Sequence, residues 1–199
     1  MSKSEYIIIN NNKNLIICFG GLALKMGGIL PFEFLNYLSS IYQNECDLVF
    51  FIDHEKCWYH KGIQGITSNI DETALYINSI IKDKYYKNVI FMGNSAGGYA
   101  AILFGSICNV NHVISFIPQT ILENPIDSNY SNLKDIINKT TKYIIYGDTN
   151  AKDIRHDISH CENIDCFTNV KVIKSDGVGV KMMRDNGDIK RIIDNIIFS

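Results

Sequence analysis

The segment Val89-Ile90-Phe91-Met92-Gly93-Asn94-Ser95-Ala96-Gly97-Gly98-Tyr99-Ala100-Ala101 passes from an apolar, strand-like run into an apolar helical run through a turn of small residues. Gly93, Ser95 and Gly97 form the pattern G-x-S-x-G. A serine on a sharp strand-to-helix turn requires small residues two positions either side, because larger ones would collide within the turn. Gly98, Ala100 and Ala101 let the following helix lie close on a sheet. The N-terminus of that helix directs its dipole and free amides at Ser95, which favours negative charge there. A phosphate-binding turn is the competing reading. It requires G-x-G-x-x-G after the first strand and an acid after the second; here the glycines lie mid-chain with different spacing. Ser95 therefore reads as a nucleophile.

Outward from this turn, short β-branched runs alternate with helical patterns. Tyr6–Asn10 and Leu15–Phe19 read as strands joined by an Asn-rich turn, an opening hairpin. Pro31–Tyr42 carries Phe32, Leu35, Leu38 and Tyr42 at helical spacing, with Pro31 in the first turn. Leu48–Ile52 is the fully apolar run of a buried parallel strand. A helix follows over Asn69–Lys84. Asn88–Met92, His112–Ile117, Tyr143–Tyr146 and Val170–Lys174 read as strands. Ser95–Cys108, Asp153–Asn163 and Val180–Phe198 read as helices, and Asn124–Asn138 as a looser stretch with one short helix. The alternation predicts a three-layer α/β domain over residues 1–199, with a mostly parallel central sheet, helices on both faces and no room for a lid domain.

Composition narrows the function classes. The 199 residues have 46% hydrophobic and 20% charged residues and a formal net charge of −2. That charge supplies no basic field for nucleic acid and no polybasic stripe for an anionic membrane. The apolar run Ile7-Ile8-Ile9 is too short for a secretion signal. No stretch of roughly 18 apolar residues is present to span a bilayer. Six cysteines lie without a CxxC pair or zinc-ligand spacing, which suits reduced thiols in a cytoplasmic protein. No cofactor or metal is expected, and nothing in the sequence sets the oligomeric state.

With the serine turn placed between a buried strand and an apolar helix, the chain resembles the α/β-hydrolase family along nearly its whole length. It is most similar to small lidless bacterial members, some of which act on acyl or acetyl groups of carbohydrates. The resemblance implies a serine esterase or thioesterase acting through a Ser95 acyl-enzyme on a small-molecule or glycan-linked ester. It further implies that Phe19-Gly20-Gly21-Leu22 corresponds to the H-G-G turn of lipases, with Phe19 in place of His. The oxyanion donors would then be the amide of Ala96 and that of Gly21 or Leu22.

The family pattern places an acid after the strand two beyond the elbow and a histidine after the last strand. Tyr143-Ile144-Ile145-Tyr146-Gly147-Asp148 matches the first position and implies Asp148, or alternatively Asp153, as the acid. Both are also ordinary capping or turn residues. At the second position stands Val180, and no histidine follows His160. A serine hydroxyl without a general base is a weak nucleophile. His156, His60 and His54 are the candidate replacements; His156 lies three residues after Asp153, with His160 further along the same face. His54 and His60 lie in Asp53-His54-Glu55-Lys56-Cys57-Trp58-Tyr59-His60, at the edge where α/β sites gather. His60, Trp58 and Tyr59 are expected to line a substrate pocket, and His112 reads as structural. Three activities remain open: an esterase with a relocated base, a binding protein that has lost its base, and an acyltransferase built on the same elbow.

Overall fold

A computed structural model describes residues 3–23, 32, 34–177 and 179–199. Its strands are β1 (Glu5–Ile8), β2 (Asn14–Phe19), β3 (Cys46–Phe51), β4 (Asn88–Asn94), β5 (His112–Phe116), β6 (Lys142–Asp148) and β7 (Val170–Ser175). Its α-helices are α1 (Leu35–Tyr42), α2 (Ile70–Lys82), α3 (Ala96–Ile107), α4 (Ile158–Glu162), α5 (Val180–Asp185) and α6 (Asp188–Ile197). The seven strands form one sheet in the order β1-β3-β2-β4-β5-β6-β7, parallel throughout except β1. No helix among the described residues is long and apolar enough to cross a membrane.

Alternation along the buried strands separates the core into two layers. Ile17, Phe19, Phe91 and Val113 face α2, α3 and α4. Ile16, Cys18, Ile90, Met92 and Ile114 face α1, α5 and α6. Helix α3 is buried from Ala96 through Ser106, so it carries almost no polar face. Such all-round apolarity is what a helix packed centrally on a sheet requires.

The opening hairpin does not form. β3 is inserted between β1 and β2, and the Asn-rich turn crosses its start. Asp47, fully buried at the beginning of β3, accepts the amides of Asn10 and Asn12 at 3.0 Å each. Asn10 and Asn12 add side-chain bonds to the Gln43 carbonyl. The two strands are antiparallel in either arrangement, so local pattern alone does not distinguish a hairpin from a crossover. Burial works to raise the Asp47 carboxyl. The bonds from Lys84, Asn12, Asn10 and Tyr86 outweigh it and hold the carboxyl below its ordinary value. Stability from a carboxyl depressed in the folded state is present above its unfolded pKa, about 4, and disappears as pH falls through the folded value. Urea unfolding at neutral pH and at about pH 3 should therefore show a smaller acid loss for Asp47→Asn than for the parent. Equal losses would refute this.

Three other elements differ in their continuity. Asn124–Asn138 holds two short 3-10 turns, Ser128–Tyr130 and Leu133–Ile136, where one short helix was expected. Their N-caps Asp127 and Asn132 satisfy amides locally, so the chain turns without extending a helix. The Asp153–Asn163 helix is split into a 3-10 turn, Ile154–His156, and α4, because Asp157 adopts an extended conformation and recaps at Ser159. The closing helix breaks into α5 and α6 at Gly187, which has φ 77°. Helix α1 starts at Leu35, and Pro31 lies outside the described residues.

Candidate active site

β4 ends at Asn94 and α3 begins at Ala96, leaving Ser95 at the turn with φ 56° and ψ −120°. A non-glycine residue held there is strained, and such strain persists only where the surroundings over-determine it. The surroundings here are rigid. The Ser95 amide donates to the Phe116 carbonyl at the end of β5 (2.9 Å), and the Ser95 carbonyl receives the Tyr99 amide (3.0 Å). A Cβ on Gly93 would lie 2.2 Å from the Gly97 carbonyl oxygen, and one on Gly97 would lie 2.1 Å from that of Phe19. The small residues of the motif are therefore contact requirements of this turn. The same approach sets the Phe19–Gly20 turn against the first turn of α3, where Ala96 contributes an amide without an intrahelical acceptor.

Ser95 Oγ lies 2.7 Å from His156 Nε2. The imidazole is presented by the 3-10 turn Ile154–His156, in the connection after β6. Asp153 builds that turn: its side chain accepts the Arg155 amide (3.0 Å) and its carbonyl accepts the His156 amide (2.8 Å). Its carboxylate also pairs with the Arg155 guanidinium, which helps hold the carboxyl at about 2. Burial pushes the His156 imidazole below its ordinary value. The charge of Asp153 opposes this, while Arg155 and His160 reinforce it. The downward shift favours the neutral imidazole, the form that can accept a proton. A neutral imidazole hydrogen-bonded to a serine hydroxyl is the pairing that general-base activation needs.

The remaining sequence candidates have other positions. Asp148 Oδ1 accepts the amides of Asn150 and Gly177, both at 2.9 Å, and so ties the end of β6 to the chain after β7. Its effect on His156 ranks below that of Asp153. Val180 begins α5, half-buried against the core layer of α1 and α6. The imidazole facing Ser95 thus comes from one strand earlier than the family pattern implies. His54 is half-buried, with Nε2 3.3 Å from the Lys3 carbonyl, and His112 opens β5 at the opposite edge of the sheet from Ser95. His160 lies in α4, its carbonyl held by Thr120.

Two expected pocket residues belong to the scaffold. His60 is 4% exposed; its Nδ1 accepts the Asp127 amide, and its Nε2 lies 2.8 Å from the Tyr99 hydroxyl. Tyr59 is fully buried, and its hydroxyl donates to the Gly20 and Phe51 carbonyls. Buried groups with these bonds have no surface to offer a substrate. Trp58 is half-buried and donates its indole N–H to Gln119 (3.0 Å). Asp53 was not singled out in the sequence, although it is an acid directly after the wholly apolar run Leu48–Ile52. It is 1% exposed and accepts the Cys57 and Tyr59 amides.

No protein-family profile and no curated protein sequence matches the chain. Solved structures do. Fluorophosphonate-binding serine hydrolase F of Staphylococcus aureus superposes with a TM-score of 0.64 at 14% identity, covering 95% of this chain and 85% of its own. The capsule O-acetyltransferase of Neisseria meningitidis serogroup A gives 0.61 at 18% identity, covering 94% and 87%. A lipase-esterase related protein from Clostridium acetobutylicum gives 0.60 at 14% identity, covering 96% and 98%. Parallel strand order, a strained serine turn closing β4 and these superpositions lead to one conclusion: the chain has the α/β-hydrolase fold.

Proposed function

We propose that this chain is a serine esterase or thioesterase whose general base, His156, is carried by the connection after β6. The 2.7 Å approach of His156 Nε2 to Ser95 Oγ carries the reading. His156 takes the hydroxyl proton as Oγ bonds to the acyl carbon, and the carbonyl becomes a tetrahedral oxyanion. The amides of Ala96 and of Gly21 or Leu22 stabilise that charge. The C–O or C–S bond then breaks, and the leaving group receives the proton from His156. Water, deprotonated by the same imidazole, attacks the acyl-serine; the acid departs and Ser95 recovers its proton. To accept from Ser95, the imidazole must carry its proton on Nδ1. Asp153 serves this step by building the turn and favouring the imidazolium that forms, with Asp148 as a weaker contributor.

A second reading, acyl transfer to an alcohol in place of water, is favoured by the likeness to the capsule O-acetyltransferase, one structure of which is a complex with CoA. The two readings share every step to the acyl-enzyme and diverge at its acceptor. Incubation with a fluorophosphonate, followed by mass spectrometry, tests the common part: the Ser95 peptide should be labelled in the parent and not in Ser95→Ala. An unlabelled parent would overturn both readings. Release of p-nitrophenol in the presence and absence of a polyol acceptor then separates them. A further expectation follows from the His156 environment. On a neutral ester, kcat/KM should rise with pH through an apparent pKa below the ordinary imidazole value of about 6.5 and stay high through neutrality. A midpoint above that value would contradict it.

A further inference from the structure

The connection after β3 contains a construction that the mechanism above leaves unused. Lys56, Trp58 and Tyr59 all have left-handed backbones, with φ of 53°, 55° and 63°. Buried Asp53 holds this strained stretch, accepting the Cys57 amide at 2.7 Å and the Tyr59 amide at 3.0 Å through Oδ2. Such conformations persist where the surroundings impose them, and they cluster at functional edges of folds. The strain delivers the Tyr59 side chain to one place. Its ring lies edge-on to Phe19 (5.6 Å between centroids) and Phe104 (6.3 Å), and its hydroxyl donates to the Gly20 carbonyl at 3.0 Å and the Phe51 carbonyl at 3.1 Å.

Phe51, the last residue of β3, also accepts the Gly20 amide at 2.9 Å. The N–H and C=O of Gly20 therefore both face the β3 side. In a trans peptide the following N–H points opposite to the carbonyl, and along an extended chain these groups alternate sides. Across that trans peptide the Gly21 N–H points away from the side where Tyr59 holds the Gly20 carbonyl. Phe19, whose polar groups alternate the same way, already brings its carbonyl against Gly97, two residues beyond Ser95.

We propose that Tyr59, held by Asp53, is a positioning residue for the oxyanion hole: by clamping the Gly20 carbonyl it sets the Gly20–Gly21 peptide plane and makes Gly21, rather than Leu22, the second donor. This rests on the Ser95 acyl-enzyme reading. It also gives Tyr59 an effect on the transition state without contact with substrate. A donor tilted out of line weakens its bond to the oxyanion much more than to the ground-state carbonyl.

Tyr59→Phe keeps the ring and removes the clamp. With an activated acetate ester, kcat should fall about tenfold while KM stays within about twofold, because misplaced donors affect the transition state selectively. A trifluoromethyl ketone matched to the ester, which forms the tetrahedral oxyanion on Ser95, should bind about tenfold more weakly. The melting temperature should change little, a split that loss of packing alone would not give. Should Tyr59→Phe fail to fold, Asp53→Asn is read by the same measurements. Unchanged kcat and unchanged ketone affinity in a parent that fluorophosphonate labels at Ser95 would overturn the positioning role alone. Parallel losses in KM and melting temperature would also overturn it. An unlabelled parent would overturn the acyl-enzyme reading and this proposal with it.

Discussion

His156→Ala is expected to lower kcat/KM on p-nitrophenyl acetate by about four orders of magnitude, leaving only what the oxyanion donors and binding supply. Ser95→Ala should lose a comparable amount, and the double variant should be little worse than either, because nucleophile and base act as one unit. Val180→His should gain nothing: the base position at Ser95 Oγ is already occupied at 2.7 Å by His156. The two substitutions measured together locate the base. Activity surviving in His156→Ala at more than about a tenth of the parent would exclude His156, since losing a true base costs far more. Activity raised above the parent by Val180→His would instead mark the chain after β7 as the place where a base is missing.

Gly97→Ala should remove both activity and much of the stability, with a loss of about 3 kcal/mol or more. The added methyl would stand 2.1 Å from the Phe19 carbonyl oxygen and 3.0 Å from the Gly20 carbonyl carbon. Both are backbone atoms, so no side chain can rotate away. Relief requires moving α3 from the sheet or the glycine turn from α3. The second movement would displace the Gly20–Gly21 peptide from Ser95. Gly177→Ala is the contrast: there a Cβ meets nothing within 4 Å, and the cost comes from φ +80° alone. Thermal unfolding of the two variants should separate by several degrees, with Gly97→Ala the lower. Similar melting temperatures would mean that the contact at Gly97 is softer than its geometry implies.

The centre of the fold was readable because its signals are local and agree with one another. Val89–Met92 within β4 is an unbroken apolar run, α3 carries almost no polar face, and Gly93 answers to a contact within the same turn while Gly97 meets the end of the neighbouring β2. The place of β1 was not readable, because Asp47 fixes it from 35 or more residues away. The candidate site divides the same way. Ser95 carries its context beside it. His156 does not: only the folding of the β6 connection brings it across 61 residues to the serine. The helical spacing that grouped it with Asp153 and His160 described a continuous helix. Asp157 interrupts that helix, and a short 3-10 turn presents the imidazole. Tyr59 and His60 were misplaced for a related reason. Aromatic residues at a sheet's C-terminal edge suit a pocket wall and a loop anchor equally, and hydrogen bonds to Gly20, Phe51, Tyr99 and Asp127 decide for the anchor.

The proposed base after β6 has a bearing on what the molecule can tolerate while it works. β7 is an outer strand of the sheet, with only Val170 buried, whereas β4, β5 and β6 are each paired on both sides. Outer strands exchange their amide protons through local opening events far less costly than global unfolding. A base hung beyond such a strand would be lost from the nucleophile at every opening. With the proposed base one strand further in, β7 can open and reclose on its own timescale while Ser95 and His156 stay in register. On that proposal the outer strand is decoupled from the chemistry, and β7 can loosen with temperature ahead of any loss of turnover.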